Sequence, residues 1–153
     1  MRVLITGGAG YIGSNLARRL LAEGNEVILF DNLSSSLPRN LLDLAGRAKL
    51  VAGDILDLSH LLRVARDNQI QRIVHTAAVV SVPASMERPL YTAKVNIEGS
   101  LNVFETARLS GIDRVVDISS AEAYGAFEQD PAPEEPPLNS TTPYGITKAA
   151  VER

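Results

Sequence analysis

Residues 2–14 read RVLITGGAGYIGS, and this stretch decides the fold because it joins three patterns. The aliphatic run 2–6 is continuous rather than alternating, which predicts a strand covered on both faces. Gly7, Gly10 and Gly13 then follow a G-x-x-G-x-x-G spacing, and a helical pattern begins among them. Glycines between a strand and a helix allow a tight turn and let the backbone approach a pyrophosphate. The helix start would offer unpaired N–H groups to the phosphates, so the stretch predicts dinucleotide binding.

The same alternation of strand and helix continues along the chain. Strands are predicted at 2–6, 26–30, 49–53, 72–76 and 114–119. Helices are predicted at 11–24, with Ile12, Leu16, Leu20 and Leu21 on the apolar side, at 58–68, with Ser59 as a possible N-cap, and at about 89–109. This order implies an α/β fold, a doubly wound parallel sheet with helices on both faces. Residues 125–143 hold five of the eight prolines and are predicted to form an irregular loop.

Composition narrows the class of protein. The 153 residues fit one domain, 1–153, and the net charge of −3 without any Lys or Arg run argues against a nucleic-acid partner. The chain has no Cys, and His60 and His75 are isolated, so no metal site is expected and His75 is expected in the interior. No apolar run could cross a bilayer, and the N-terminal one is too short for a signal peptide. We therefore expect a cytoplasmic protein without a membrane partner.

An acidic residue stands where a dinucleotide site would need one. The second predicted strand leads into Asp31, eighteen residues after Gly13. A carboxylate at about this offset accepts hydrogen bonds from the hydroxyls of an adenosine ribose. It would repel a 2′-phosphate, and no Lys or Arg follows until Arg39. The glycine turn and Asp31 together favour NAD over NADP.

Two later strand ends could also line a cofactor. Asp54 could hold the exocyclic amine of an adenine, with Ile55 against the ring, or it could simply form a turn after Gly53. Both interpretations of Asp54 stay open at this point. After the fourth strand, small side chains would let a flat cofactor lie close to the carboxyl edge of the sheet, where ligands collect in open α/β folds. These positions are Ala77 and Ala78, followed by Val79.

Tyr144 and Lys148 stand four residues apart in a predicted helix that starts at Pro143, with Thr142 or Thr141 as its N-cap. Residues at this spacing share a helix face. Tyrosine is a poor base at neutral pH, but a nearby ammonium stabilises the phenolate form. The pair could then remove a proton from a sugar or alcohol hydroxyl. The same spacing also arises by chance on many solvated helices.

Two serines favour the reactive interpretation of this pair. Ser119 and Ser120 stand at the predicted end of strand five, at the carboxyl edge of the sheet. A hydroxyl there could bond to the substrate oxygen that Tyr144 deprotonates and stabilise developing charge. A serine nucleophile is not favoured, because no suitable histidine base accompanies it.

Seven motifs occur in one order along the whole chain: TGGAGYIGSNL, DNLSSS, GDI, HTAAVVSVPASMERP, VNIEGSLNVFETAR, SSAEAYG and PYGITK. With these motifs the sequence resembles the extended short-chain dehydrogenase/reductases, and among them the NAD-dependent nucleotide-sugar epimerases and dehydratases. The resemblance implies a Rossmann-type sheet and NAD as the cofactor.

The resemblance also implies roles for individual residues. Tyr144 would be the catalytic base, Lys148 would support it and bind the nicotinamide ribose, and Ser120 rather than Ser119 would match the catalytic hydroxyl. The remaining cofactor contacts implied are Tyr11 and Ile12 over the pyrophosphate turn, Asn32, Ser35 and Ser36 on the adenosine side, and Asn96 near the catalytic lysine.

The implied reaction is a 4-epimerisation of a nucleotide sugar, a UDP-sugar for preference, by transient oxidation to a 4-keto sugar. Glu122 occupies a position where dehydratases and decarboxylases carry a working glutamate. Dehydratases usually place Asp before it, and here Ala121 stands there, which argues against a 4,6-dehydratase and leaves a decarboxylase open. An NAD-binding module without catalysis is the other alternative.

Length is the main departure from the family. Relatives carry a C-terminal lobe that binds the nucleotide sugar, and this sequence contains no counterpart of it. The resemblance therefore implies a fragment that is inactive or nearly so alone. Relatives dimerise through the helix around 96–108 and the helix that starts at Tyr144. Because the second helix is short here, we expect a weakened homodimer.

Overall fold

The computed structural model describes residues 1–126, 131, 133 and 137–153, which group into two compact units. Unit 1 comprises Met1–Ala77 and Asn102–Ile118, and unit 2 comprises Ala78–Leu101 and Ser119–Arg153. The predicted loop 125–143 lies partly outside the described residues. Its described positions before Pro143 contain no helix or strand, as expected.

Unit 1 contains a five-stranded parallel sheet in the order β3-β2-β1-β4-β5. The strands are β1 Arg2–Thr6, β2 Glu26–Asp31, β3 Lys49–Ala52, β4 Arg72–His75 and β5 Val115–Asp117. This order, with the first strand in the middle, is that of a Rossmann-type sheet, so the predicted fold class is confirmed.

Strand β5 is shorter than predicted. It pairs only with β4, and the last pair in the ladder joins His75 to Asp117. An edge strand has one partner, so its ladder stops where that partner ends. Ser119 and Ser120 therefore follow the strand rather than belonging to it, and the prediction of a strand over 114–119 was wrong at both ends.

The described residues form six α-helices, and the short helix at residues 82–87 was not predicted from the sequence. They are α1 Tyr11–Ala22, α2 Leu58–Asp67, α3 Val82–Glu87, α4 Pro89–Ala93, α5 Gly99–Ser110 and α6 Pro143–Glu152. Among the described residues, none of the helices combines the length and the apolar character needed to cross a membrane.

Helices cover both faces of the sheet. Val3 and Ile5 point to one face, where they pack with Ala17 of α1. Thr6 and His75 are neighbours in register on the other face, where the ring of Phe104 from α5 meets the His75 ring edge-on at 6.3 Å. Burial on both faces explains why the strand sequences are continuous rather than alternating.

The apolar side of α1 differs from the prediction at one residue. Leu16, Leu20 and Leu21 pack against the core as expected, but the Ile12 side chain is 53% exposed. The buried residues of α1 are instead small, and Ala17 among them lets the helix lie close to the sheet. Ile12 belongs to the first helical turn, beside the glycine turn.

Helix α2 begins one residue earlier than the predicted cap. The carboxylate of Asp57 accepts a hydrogen bond of 2.9 Å from the N–H of His60, so Asp57 is the N-cap. Ser59 lies inside the helix, and its assignment as the cap was wrong.

In unit 2, α4 leads into a widened helical turn, Lys94–Glu98, in which the N–H of Gly99, the first residue of α5, donates to the carbonyl of Lys94. A hydrogen bond over five residues adds one residue to that turn, a local form that is often found at functional sites. Sequence periodicity predicted a regular helix over 89–109. The widened turn holds Asn96, whose side chain is almost completely buried.

The two candidate caps of α2 give a matched test. Asp57→Ala removes the acceptor for an otherwise unpaired N–H and should lower the free energy of unfolding by about 1 kcal/mol. Ser59→Ala leaves the cap in place and should change it by less than about 0.5 kcal/mol. Urea denaturation followed by circular dichroism measures both. Equal effects of the two variants would contradict the assignment.

Candidate functional site

The N–H groups of the glycine turn, residues 7–10, are all hydrogen-bonded to other groups of unit 1. Gly7 and Gly8 donate to the carbonyl of Phe30, at 2.8 and 3.4 Å, and Gly10 donates to the carbonyl of Gly7 at 3.0 Å. The N–H of Ala9 donates to the carboxylate of Asp31, again at 3.0 Å. Since all four donors have partners in the protein, the turn itself is not where a ligand would find its hydrogen bonds.

The start of α1 offers the donors that the turn does not. The first backbone bond at this helix start runs from Ser14 to the carbonyl of Gly10, so the N–H groups of residues 11, 12 and 13 precede it. Tyr11 and Ile12 are 80% and 53% exposed. These N–H groups and the positive end of the helix dipole suit a pyrophosphate. The cofactor contacts of Tyr11 and Ile12 stay predictions.

Gly7 and Gly13 are required for the shape of the turn. Gly7 has φ +69°, and a Cβ there would lie 2.7 Å from the N of Ala77. A Cβ on Gly13 would collide with the Gly7 carbonyl and lie 2.8 Å from the Cα of Gly8. Gly10 differs, because the nearest atom to its Cβ, the Gly7 carbonyl oxygen, would be 3.2 Å away.

Asp31 is half-buried and its two oxygens bind different backbone groups. Oδ2 accepts from Ala9 in the glycine turn, and Oδ1 accepts from Leu33 at 2.8 Å. An ionised carboxylate offers about four acceptor positions. About two therefore remain for a ribose diol, and the ligand role of Asp31 stays a prediction that this geometry permits.

The other adenosine-side residues form a small polar network. Asn32 donates from Nδ2 to Asp54 at 3.0 Å, and the other oxygen of Asp54 accepts from the N–H of Leu56. Ser34 bonds to Asn32 through both its N–H and its hydroxyl. Asp54 thus has the turn-forming role considered above, and its contact with an adenine stays a prediction. The hydrogen bonds of this network do not include three other residues that were predicted to contact the adenosine. Their contacts stay predictions; they are Ser35, Ser36 and the buried Ile55.

His75 is an interior histidine, as predicted. Its Nδ1 lies 2.6 Å from the hydroxyl of Thr6, and its Nε2 lies 4.0 Å from a carboxylate oxygen of Asp117. The ring is almost completely buried under α5.

In unit 2 the Tyr/Lys pair faces inward. Pro143 is the first residue of α6, and the hydroxyl of Thr142 caps the helix by accepting from Gly145 at 3.1 Å. Tyr144 is only 8% exposed and Lys148 only 5%. A chance pair on a solvated helix would be exposed, so burial on one face supports a functional or packing role.

A chain of hydrogen bonds joins Asn96 to this helix. The carboxamide of Asn96 accepts from the N–H of Val79 at 2.8 Å and donates to its carbonyl at 3.1 Å. Its second N–H donates to the hydroxyl of Thr147 at 2.9 Å, which donates to the carbonyl of Tyr144 at 2.6 Å. Asn96 and Thr147 therefore fix the backbone that carries Tyr144. Direct contacts of Asn96, Ala78 and Val79 with a cofactor stay predictions.

Sequence reasoning missed Ser85 as well as Thr147. The Ser85 side chain is fully buried, accepts from the N–H of Tyr144 at 3.2 Å and donates to the carbonyl of Val82. It thereby satisfies a donor in the first turn of α6. Thr147 could have been suspected from its place between Tyr144 and Lys148, whereas no local pattern marks Ser85.

Ser120 begins a short 3-10 turn, Ala121–Ala123, that packs against α6. Its hydroxyl accepts from the N–H of Glu122 at 3.2 Å. Oε2 of Glu122 lies 3.4 Å from the hydroxyl of Thr142, the N-cap of α6. Ser119 bonds instead to Glu152 near the end of that helix. The structure thus brings the turn of Ser120, and not Ser119, to the end of α6 where Tyr144 stands.

Comparison with known proteins gives one family for the whole chain. Residues 3–153 match the profile of the NAD dependent epimerase/dehydratase family. UDP-glucose 4-epimerase of Lactobacillus helveticus is 37% identical over 153 residues, which cover 100% of this chain and 46% of the relative. The enzyme of Mycolicibacterium smegmatis is 39% identical over 155 residues, covering 99% of this chain and 49% of the relative.

Solved structures agree with this relationship. UDP-glucose 4-epimerase from Stenotrophomonas maltophila, with bound NAD and formylated UDP-arabinopyranose, has a TM-score of 0.94 at 33% identity, covering 99% of this chain and 46% of that one. The Bifidobacterium longum enzyme, in complex with NAD+ and UDP, has a TM-score of 0.92 at 30% identity, covering 99% and 47%. The chain thus spans about half the length of the relatives it matches.

The glycine turn gives a matched pair of variants. Gly13→Ala forces a Cβ against the Gly7 carbonyl and should cost about 1 to 3 kcal/mol of unfolding free energy through overpacking. Gly10→Ala meets one atom at 3.2 Å and should cost less than about 1 kcal/mol. Urea denaturation of both variants checks the order. If Gly10→Ala were the more damaging, the geometry of the turn would be wrong.

Proposed function

Since the chain belongs to the NAD dependent epimerase/dehydratase family, we propose that it forms the NAD-binding part of a nucleotide-sugar 4-epimerase. The observation that carries the proposal is the buried Tyr144/Lys148 pair on one face of α6. The contacts of Ser85 and Thr147 with the main chain of Tyr144 also support it, because they hold the first turn of α6 in place.

The residues of unit 1 fit the adenosine and pyrophosphate of NAD. Among the described residues, the N–H groups of residues 11–13 have no backbone acceptor outside α1, and their position at the positive end of the helix dipole suits phosphate oxygens. Asp31 keeps acceptor capacity for a ribose diol, and its charge disfavours a 2′-phosphate. We therefore propose NAD rather than NADP as the cofactor.

The residues of unit 2 fit the chemistry of the sugar. When bound, NAD would accept a hydride from C4 of the substrate and return it. Tyr144 as phenolate would take the proton of the 4-hydroxyl, so that loss of proton and hydride leaves a 4-keto sugar. Lys148 would stabilise the phenolate by its positive charge, and the Ser120 hydroxyl would hold the substrate oxygen in place. Reduction of the keto group from the opposite face would invert C4, and Tyr144 would return the proton to the C4 oxygen.

Glu122 bears on the alternative of a decarboxylase or dehydratase. A working glutamate in those enzymes must reach the substrate, whereas Oε2 of Glu122 lies within reach of the Thr142 hydroxyl that caps α6. This contact supports a structural role for Glu122 and therefore favours the epimerase.

The proposal extends to partners and location. A UDP-sugar is the proposed substrate, because the neighbouring structures carry UDP-arabinopyranose derivatives or UDP. We also propose a homodimer through α5 and α6, which expose Leu101, Leu109 and Ile146. The proposed location is the cytoplasm.

Cofactor choice can be measured directly. Titration calorimetry with NAD and NADP should give at least about tenfold tighter binding of NAD, because Asp31 repels a 2′-phosphate. Asp31→Asn keeps an oxygen for the Ala9 N–H but removes the charge, so the preference for NAD should shrink. Asp67→Asn, at the exposed end of α2, is the control and should keep the preference. A preference for NADP in the unaltered protein would contradict the assignment.

The catalytic role is tested in the product of the complete reading frame, assayed with UDP-glucose. Tyr144→Phe removes the base and should reduce turnover by about 10²- to 10⁴-fold while NAD affinity changes little. Tyr91→Phe alters a half-exposed tyrosine on α4 and should leave turnover unchanged. Wild-type turnover in Tyr144→Phe would rule out the proposed mechanism.

A further inference from the structure

Asn40 reaches back to the glycine turn from the connection between β2 and β3. It ends a short 3-10 turn, Pro38–Asn40, and its Nδ2 donates a hydrogen bond of 3.0 Å to the carbonyl of Ala9. Ala9 is completely buried, and its N–H is already held by Asp31. Both main-chain polar groups of Ala9 are therefore bound by side chains, the N–H by the last residue of β2 and the carbonyl by Asn40 in the connection after it.

The carbonyl of Ala9 belongs to the peptide that directly precedes Gly10, the N-cap of α1. The first backbone bond at the start of α1 goes to the carbonyl of Gly10, so no hydrogen bond of the helix orients the Ala9 carbonyl. The peptide between Ala9 and Gly10 is planar, and fixing its oxygen also fixes the N–H of Gly10. Asn40 thus holds the oxygen of this peptide while the Gly7 carbonyl holds its N–H, and these two contacts set the peptide that leads into α1.

Arg18 of α1 holds Asn40 in place. Its Nη2 donates to the main-chain carbonyl of Asn40 at 2.8 Å. The same guanidinium makes a two-point ion pair with Asp43, with both distances 2.7 Å. The hydrogen bond from Arg18 lowers the pKa of Asp43 to about 2, so the carboxylate stays charged near neutral pH.

The segment of residues 38–44, which carries Asn40 and Asp43, is also held by a buried side chain next to the ion pair. The side chain of Leu44 is almost completely buried and belongs to the core cluster with Val3, Ala17 and Leu29. Residues 38–44 are therefore packed on α1 by a core contact and an ion pair, which fixes the direction in which Asn40 approaches the turn.

We propose that Asn40, held by the Arg18–Asp43 ion pair, is a positioning residue for dinucleotide binding. It orients the Ala9 peptide so that the first N–H groups of α1 are aimed at the pyrophosphate. The inference rests on the proposed binding of NAD, and it assigns the role to Asn40, where the sequence pointed to Ser35 and Ser36.

The first test compares Asn40→Ala with Asn25→Ala by titration calorimetry. Asn25 makes the same kind of bond, from its carboxamide to the carbonyl of Leu20, at the other end of α1. Asn40→Ala should weaken binding of NAD about fivefold, the factor expected for one ordinary hydrogen bond. ADP-ribose, which keeps the adenosine and pyrophosphate, should weaken by the same factor. Asn25→Ala should leave both affinities unchanged.

The second test asks whether the ion pair acts through Asn40. Asp43→Asn removes one charge from an exposed pair and should weaken NAD binding about threefold while the chain stays folded. In the Asn40→Ala background the same change should have no further effect, because the two residues act on one peptide. Thermal unfolding of each variant verifies that it is folded.

The outcomes separate the inference from the proposed function. Wild-type NAD affinity in folded Asn40→Ala, or fully additive losses in the double variant, would overturn the positioning role. If the unaltered protein binds neither NAD nor ADP-ribose, the proposed function itself fails, and the inference fails with it.

Discussion

The hydrogen bond between the Ala9 N–H and the Asp31 carboxylate connects the two features on which dinucleotide binding depends. Strands β1 and β2 pair so that Thr6 lies beside Phe30, and the next residues on each side, Gly7 and Asp31, are therefore adjacent. The sheet register thus brings Asp31 into contact with Ala9 of the glycine turn, although the two lie 22 residues apart in the sequence. The carboxylate shapes the turn, and in the proposed function the same side chain would also accept hydrogen bonds from a ribose.

Much of this arrangement could be predicted from the sequence. Continuous aliphatic runs located all five strands because both faces of a parallel sheet are buried. The glycine spacing located the turn, since a Cβ on Gly13 would strike neighbouring backbone. Thr142 and Pro143 marked the start of α6, because caps and first-turn prolines depend on local backbone geometry. These signals are local, and so a single sequence carries them.

What could not be predicted depends on contacts between distant segments. Ser85 meets Tyr144 across 59 residues, and Asn40 meets Ala9 across 31. Neither belongs to a recognisable pattern, because a single hydrogen bond leaves no periodicity in the sequence. The widened turn around Asn96 was missed for a related reason, since one additional residue in a helix barely alters a short apolar pattern. Strand β5 ends before Ser119 because its partner β4 ends at His75. The sequence of β5 carries no information about where β4 ends.

The internal hydrogen bonds of the glycine turn have a kinetic consequence. Because the four donors from Gly7 to Gly10 all bind acceptors of the protein, the fold itself fixes the shape of the turn. We therefore expect a dinucleotide to bind at this unit without a slow backbone rearrangement and with little loss of conformational entropy at the turn. Affinity differences among variants that keep this turn intact should consequently lie in how fast the dinucleotide leaves rather than in how fast it arrives.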